Sequence, residues 1–465
     1  MGFVLSVLYF VMYYLTPATV FGPLAAIRIE LILAVLLFFV SLPALTKSFI
    51  LKTPQSISLI GLALAVFLSV LIGMRWLGGA TTALQEFIPN AYGYFLVCLH
   101  CNSKRKLQVL VILLLFVCLF VIGRGYIDLR HVVSQSATSQ PGATEGAALN
   151  VWNMEHPYLL AMKSDAGETF YRLRGPGEIN DPNDFGQLIL CVIPLMFIFW
   201  RARKTLLNIA SVILPVSVLL FGVYLTRSRG ALVALVAVAT VATRRRIGTL
   251  PALLLAAGLF VAASALNFTG GREISADAGA NRTGLWGEGL QMLKSNPLFG
   301  VGFHAFADHA GLTAHNSIVV CAAELGLFGL YFWSLFLFPT IRDALAIASP
   351  TKVNELEPIA AEKGPFSHST GRIEPVDKMT VNRLGRSVLL SLTGFLVAGL
   401  FLSRAYVMTL FLLGGMAEVV FEMAVRRGMI APRLRLTRVL SYSGGLAVLL
   451  VAFMYIMIRV LNLMH

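Results

Sequence analysis

Residues 318–339 read Ile-Val-Val-Cys-Ala-Ala-Glu-Leu-Gly-Leu-Phe-Gly-Leu-Tyr-Phe-Trp-Ser-Leu-Phe-Leu-Phe-Pro, an apolar run with a single charged residue, Glu324. A helix needs about 20 mostly apolar residues to cross the hydrocarbon core of a bilayer, and this run is long enough. Twelve further runs share its character: 3–21, 24–45, 57–73, 80–99, 107–123, 185–200, 206–225, 231–243, 250–266, 387–402, 406–425 and 439–461. Hydrophobic residues make up 57% of the chain and charged residues 13%, about half the charged share of a soluble domain. The expected fold is an all-α polytopic transmembrane helix bundle of 12 or 13 spans, since 231–243 is short and the first two runs could form one hairpin. The net charge of +14 does not argue for nucleic acid, because the Lys and Arg residues sit in short clusters between apolar runs. That is the pattern of cytoplasmic loops in a membrane protein.

Those clusters set the expected topology. Lys47 with Lys52, Lys104-Arg105-Lys106, Arg201 with Arg203 and Lys204, Arg244-Arg245-Arg246, and Arg426-Arg427 with Arg433 and Arg435 fall on alternate loops. Those loops are expected to be cytoplasmic, with the N-terminus inside. The chain then divides into N-terminal transmembrane helices (1–123), an external loop (124–184), central transmembrane helices (185–266), a second external loop (267–317), one transmembrane helix (318–340), a cytoplasmic loop (341–385) and C-terminal transmembrane helices (386–465). Pro350, Pro358, Pro365 and Pro375, with mixed charge, mark the cytoplasmic loop as flexible. The N-terminus turns apolar at Phe3 without a basic leader, so it reads as a first span rather than a removed signal. Cys98, Cys101, Cys118, Cys191 and Cys321 read as small buried hydrophobes. The one Cys-x-x-Cys pair lacks the further ligands of a zinc site and the βαβ context of a redox site.

Polar residues gather where the external loops meet the spans. The stretch 281–317 reads NRTGLWGEGLQMLKSNPLFGVGFHAFADHAGLTAHNS. Asn281 is a candidate cap for a helix carrying Arg282 and, on one face, Trp286, Leu290 and Leu293, which Asn296-Pro297 would end. Such a helix would lie flat on the outer leaflet with Trp286 at headgroup depth, and an anion at its N-terminus would meet both the dipole and Arg282. Gly300-Val301-Gly302 reads as a tight turn and lacks the Gly-Lys-Ser/Thr of a phosphate loop. His304, His309 and His315 share the loop. Their spacing does not match one helix face, and Asp308 is the only nearby acid, so a metal site is not expected. His315, in His315-Asn316-Ser317, has two readings: a proton acceptor for a hydroxyl, or a cap for the next helix, a job that Asn316 or Ser317 could also do. Glu324 lies inside the following span, where carboxylates usually face a bundle interior or cavity.

Arg227 and Arg229, in Thr-Arg-Ser-Arg-Gly, sit at an external span boundary against the positive-inside bias. They either snorkel to headgroup phosphates or clamp a phosphate or diphosphate; Arg229, next to Gly230, is the better placed. Residues 174–186 read RGPGEINDPNDFG. Arg174, Asp181, Asn183 and Asp184 there are candidate substrate-binding residues, Asp181 and Asp184 for a sugar hydroxyl or a cation, with helix capping by Asp184 or Asn183 as the alternative. Arg28 and Glu30 lie near the outer end of the second span; residues i and i+2 do not face each other on a helix, so one of them, with Arg28 the candidate, could reach the site, or both could be interfacial.

With these elements in order, residues 180–329 resemble the bacterial O-antigen ligase and polymerase family of membrane glycosyltransferases. The matching elements are Asn-Asp-Pro-Asn-Asp-Phe-Gly before a span, Ser228-Arg229-Gly230, Arg282 with Trp286, Asn296-Pro297 with Gly300-Val301-Gly302, His315-Asn316-Ser317, and Glu324-Leu325-Gly326. No family motif stands in the first 120 residues or after Pro339. The resemblance implies a GT-C-like fold in the bacterial inner membrane with a periplasmic helical active-site loop. It implies transfer of a glycan from an undecaprenyl-diphosphate carrier to a lipid-linked or glycan acceptor, lipid A-core in a Gram-negative envelope, without a metal or other cofactor. Arg229 and Arg282 would hold the departing diphosphate, and His315 would activate the acceptor hydroxyl, with His304 and His309 as alternatives. Direct attack would invert the anomeric centre. A ligase and a polymerase of repeat units would share these residues. A transporter of lipid or glycan, from a different class, would instead line a path with Arg28, Arg229 and Glu324, but the two-fold repeat of many transporters is not seen in the sequence.

Overall fold

The computed structural model describes residues 1–17, 29–48, 50–136, 152–163, 169–265, 276–348 and 378–463, and these are mostly helical. All thirteen apolar runs fall on helices where they are described. Eight are long and apolar enough to cross a membrane: Ile29–Thr46, Pro54–Gly73, Lys104–Ser134, Pro182–Phe199, Thr205–Thr226, Ser317–Ala348, Met408–Val425 and Leu436–Val460. Gly2–Leu15 and Thr249–Leu259 are shorter apolar helices. The helices Leu77–His100, Arg229–Ile247 and Lys378–Gly399 carry polar or charged residues within their turns, which shortens their apolar stretch. The protein is thus a multi-pass helical membrane protein. All five cysteines are free and buried, as expected.

Among the described residues the structure departs from all-α in one place. Leu159–Lys163 pairs antiparallel with Thr169–Leu173, Leu159 opposite Leu173 and Lys163 opposite Thr169. The Thr-Phe-Tyr run suits a pleated, half-buried surface. The preceding helix runs Lys104–Ser136, so the first thirteen residues of the expected loop 124–184 are also helical.

The chain divides into two compact units. The first comprises Met1–Phe38, Arg105–Glu273 and Thr393–Ala398. Its hub is Pro182–Phe199, whose apolar stretch is 83% buried and which packs against Leu214–Thr226 and Arg229–Ile247. The second comprises Phe39–Lys104, Ile274–Leu392 and Gly399–His465. Its hub is Ser317–Ala348, in contact with Pro54–Leu68, Ala276–Ser295, Met408–Val425 and Leu436–Leu463. That last helix is only 17% buried over its apolar stretch. Its exposed Val448, Leu449 and Ile456 make the outward apolar surface that lipid solvates.

Helix starts are fixed by short polar side chains. Thr53 caps Pro54–Leu68 by accepting from the Ser56 amide, and Ser228 caps Arg229–Ile247 through the Ala231 amide at 3.2 Å. Asn316 caps Ser317–Ala348, its Oδ1 accepting from the Ile318 and Val319 amides at 2.9 and 3.3 Å. These bonds satisfy amides that have no partner within the helix.

At the far end of the second unit's hub, Arg433 joins two elements. Its Nη2 lies 2.8 Å from Asp343 Oδ2 and 2.6 Å from Glu418 Oε2, and both acids are fully buried. The guanidinium also stacks over Phe421 at 4.6 Å. Burial alone would lower the Arg433 pKa, but Glu418 and Asp343 outweigh it and hold it above its ordinary value.

Candidate functional site

In the second unit the helix Ser317–Ala348 is broken at Gly326, whose φ of 64° and ψ of −166° are not helical. At the break the Leu327 and Phe328 amides and the Ala323 and Glu324 carbonyls turn to the loop after Asn296. Leu327 and Phe328 N–H donate to Pro297 and Leu298 carbonyls at 2.8 and 3.1 Å, and Val301 and Gly302 N–H donate to Ala323 and Glu324 carbonyls at 3.0 and 3.1 Å. These four backbone groups are satisfied, as buried backbone requires. Two glycines make the approach possible. A Cβ on Gly300 (φ 71°) would lie 2.3 Å from the Glu324 carbonyl oxygen, and one on Gly326 2.5 Å from the Leu298 carbonyl carbon. The expected tight turn at Gly300-Val301-Gly302 is therefore a plug seated in a broken membrane helix.

The plug sets the histidine loop. The buried Glu324 carboxyl accepts from the His304 and Phe306 amides, and its Oε2 has no partner among the described residues. Phe303 N–H donates to Ser69 Oγ at 3.1 Å. His304, at φ 60°, stacks on Phe303 with ring centroids 3.9 Å apart and points Nδ1 at Glu86 Oε2, 3.5 Å away. His309 Nδ1 lies 2.9 Å from the Ala305 carbonyl on the short helix Phe306–Ala310 and is exposed. His315, at φ 49°, is half-buried and donates its backbone N–H to Ser403 Oγ at 3.0 Å. Asn316 spends its side-chain oxygen on the helix cap. Among the described residues no group of three or more His, Cys, Asp or Glu side chains could hold a metal ion.

The helix carrying Arg282 differs from expectation. It runs Ala276–Ser295, starting in an alanine-rich turn that favours helix, so position 281 lies inside the helix and not at its start. Arg282 sits in the second turn, away from the N-terminal amides, and the expected dipole assistance does not apply. Nor does the helix lie alone on a leaflet: Leu285, Trp286, Gly289, Met292 and Leu293 are buried, and it packs on Ser317–Ala348. Trp286 is 9% exposed, and its indole N–H donates to the Ala314 carbonyl at 2.8 Å. That bond ties the face bearing Arg282, one helical turn away, to the residue before His315.

The remaining candidates are in the first unit. Arg229 is the first residue of Arg229–Ile247 and is half-buried. Arg227, at φ 50°, ends Leu214–Thr226 with its guanidinium 4.8 Å over Tyr224. Between them the Ser228 hydroxyl donates to Asn183 Oδ1 at 2.7 Å. The same oxygen accepts from Arg172 Nη2 at 3.0 Å, while Arg172 Nε donates to the Thr226 carbonyl at 2.9 Å. Asn183 is thus a structural bridge that holds the arginine turn. Arg174 also braces the loop, donating to the carbonyls of Asn153, His156 and Asn180. Burial lowers its pKa, opposed by Asp181. Asp181, rather than Asp184 or Asn183, caps the helix, accepting from the Asn183 amide at 2.7 Å. Pro182 takes the first helical position, which shifts the cap one residue back. Asp184 is buried in the first turn. Arg28 lies outside the described residues.

Several residues at the sites were missed in the sequence. Glu86 stood as an acid within an apolar run, and Arg172 two residues before the singled-out Arg174. Ser403 and Arg404 occupy the short connection between runs 387–402 and 406–425, expected to be external, where an arginine calls for the same explanation as Arg229. Against known proteins, no family model matches the chain and no curated protein matches it.

Proposed function

We propose that this protein is a membrane glycosyltransferase, ligase-like, that moves a glycan from an undecaprenyl-diphosphate carrier to an acceptor hydroxyl at the outer face of the bacterial inner membrane. The observation that carries the reading is the Trp286–Ala314 hydrogen bond, which fastens the helix of Arg282 to the loop of His315. A guanidinium, suited to diphosphate oxygens, and an imidazole, suited to take a hydroxyl proton, thereby belong to joined elements of one unit. In the proposed reaction the acceptor O–H gives its proton to His315 and its oxygen attacks the anomeric carbon. The bond from that carbon to the diphosphate oxygen breaks with its electron pair on the oxygen, where Arg282 stabilises the growing charge. Attack opposite the leaving group inverts the centre.

A second reading, a lipid or glycan transporter, draws on the broken helix and the buried Glu324, since discontinuous helices mark many transport sites. The loop satisfies all four backbone groups at this break, so the backbone there is not left open to an ion. Transfer by the purified protein from an undecaprenyl-diphosphate glycan separates the two. The enzyme reading requires product, and chain growth without added acceptor would mark a polymerase. No product with any acceptor would favour transport.

A further inference from the structure

We propose that Ser403, acting with Ser317, is a positioning residue for His315, an inference that rests on the glycosyltransferase reading above. Three hydrogen bonds join residues 315–317 to 402–404: His315 N–H to Ser403 Oγ at 3.0 Å, Ser317 Oγ–H to the Leu402 carbonyl at 2.7 Å, and Arg404 N–H to Ser317 Oγ at 3.0 Å. Each serine hydroxyl thus meets the backbone of the opposite segment. The 402–408 segment is itself fixed to buried helices. Trp333 Nε1 donates to the Ala405 carbonyl at 2.9 Å, and the Met408 amide donates to Asn90 Oδ1 at 2.9 Å. The Tyr406 ring packs 5.3 Å from Phe303, the neighbour of His304.

The clamp acts on a residue that needs one. His315 has a left-handed backbone, uncommon for a residue with a Cβ, and lies just before the Asn316 cap, where its own amide has no partner within the helix. Ser403 supplies that partner and so fixes the φ that aims the imidazole. An alanine at 403 leaves the amide without its acceptor and lets the base drift while the donor-binding groups stay in place. A misplacement of about 1 Å can cost about 100-fold in rate. The effect belongs in kcat and not in the donor KM.

The test is steady-state transfer from an undecaprenyl-diphosphate glycan by purified full-length wild type, Ser403→Ala and Ser403→Thr, with thermal unfolding of each. The expected result is a kcat lower by about 10- to 100-fold in Ser403→Ala, an unchanged donor KM, and recovery of most of the rate in Ser403→Thr, which keeps the hydroxyl. Wild-type kcat in Ser403→Ala overturns the proposal. So does loss of rate in both variants together with a lower unfolding temperature, which marks the bond as merely structural. Absence of transfer by wild type is a different failure: it sinks the glycosyltransferase reading, and the role of Ser403 with it.

Discussion

Arg282 and Arg172 show how differently two arginines in one chain can be used. Arg172 is 4% exposed and spends its donors on Thr226 and Asn183. Its replacement by Met removes both of these charged hydrogen bonds, at about 1.5–3 kcal/mol each, and leaves Asn183 Oδ1 with the Ser228 hydroxyl alone. Arg172→Met should therefore unfold at a lower temperature, and an unchanged melting curve would contradict that role. Arg282 is half-buried on a packed helix, and its proposed part is in the reaction. Arg282→Ala should abolish transfer at normal membrane expression. Arg282→Lys should also lose most of the activity, because a point charge does not reproduce a two-pronged guanidinium. Loss of either variant from the membrane would make Arg282 structural instead. In the sequence both arginines stood in polar stretches beside spans. Only the partners brought in by folding, Thr226 and Asn183 in one case and Trp286 to Ala314 in the other, separate their uses.

The broken helix is the element on which the second unit's site is built. Gly300 and Gly326 both have positive φ, and in each a Cβ would meet backbone rather than a movable side chain. Gly326→Ala and Gly300→Ala should each lower the unfolding temperature and remove activity together, since the strain alone is worth about 1–3 kcal/mol and the overlap adds to it. Activity surviving in either would show that the plug is not needed. The Asn-Pro, Gly-x-Gly and Glu-Leu-Gly signals were all visible in the sequence, as was a helix start near His315. That the loop pairs with the break was not, because the pairing is between backbones and leaves no side-chain pattern. The helix of Arg282 shows the opposite error. Asn281 is a good cap by residue type, yet the alanine-rich turn before it lets the helix begin at Ala276. The β-hairpin passed unread because its five-residue strands are too short for alternation to stand out in a Ser- and Gly-rich loop.

For the whole molecule, the apolar period and length of the runs were enough to locate every helix that anchors the fold, because a lipid-embedded chain must satisfy its backbone within each segment. The Arg433–Asp343–Glu418 cluster was beyond such reading, since its members are far apart in the sequence, Asp343 and Arg433 in connections between runs and Glu418 inside the run 406–425. Arg433→Leu leaves the buried Glu418 without its ion partner and Asp343 with Arg342 alone, 3.2 Å away, a loss of about 3–5 kcal/mol, and should give poorly folded protein by gel filtration; a normal elution profile and melting curve would show that the cluster is dispensable. The expected orientation is open to a direct check. A cysteine at Leu312, which is 61% exposed, should react with a membrane-impermeant maleimide from the outer face, and one at Arg203 only after permeabilisation. The reverse pattern would invert the proposed topology. Whether His315 takes part in glycan transfer is read from the activity of the purified protein on an undecaprenyl-diphosphate glycan with EDTA present, comparing wild type with His315→Ala. Transfer by wild type and none by the variant is expected; equal transfer by both would contradict the role of His315, and transfer by neither would contradict the enzyme itself.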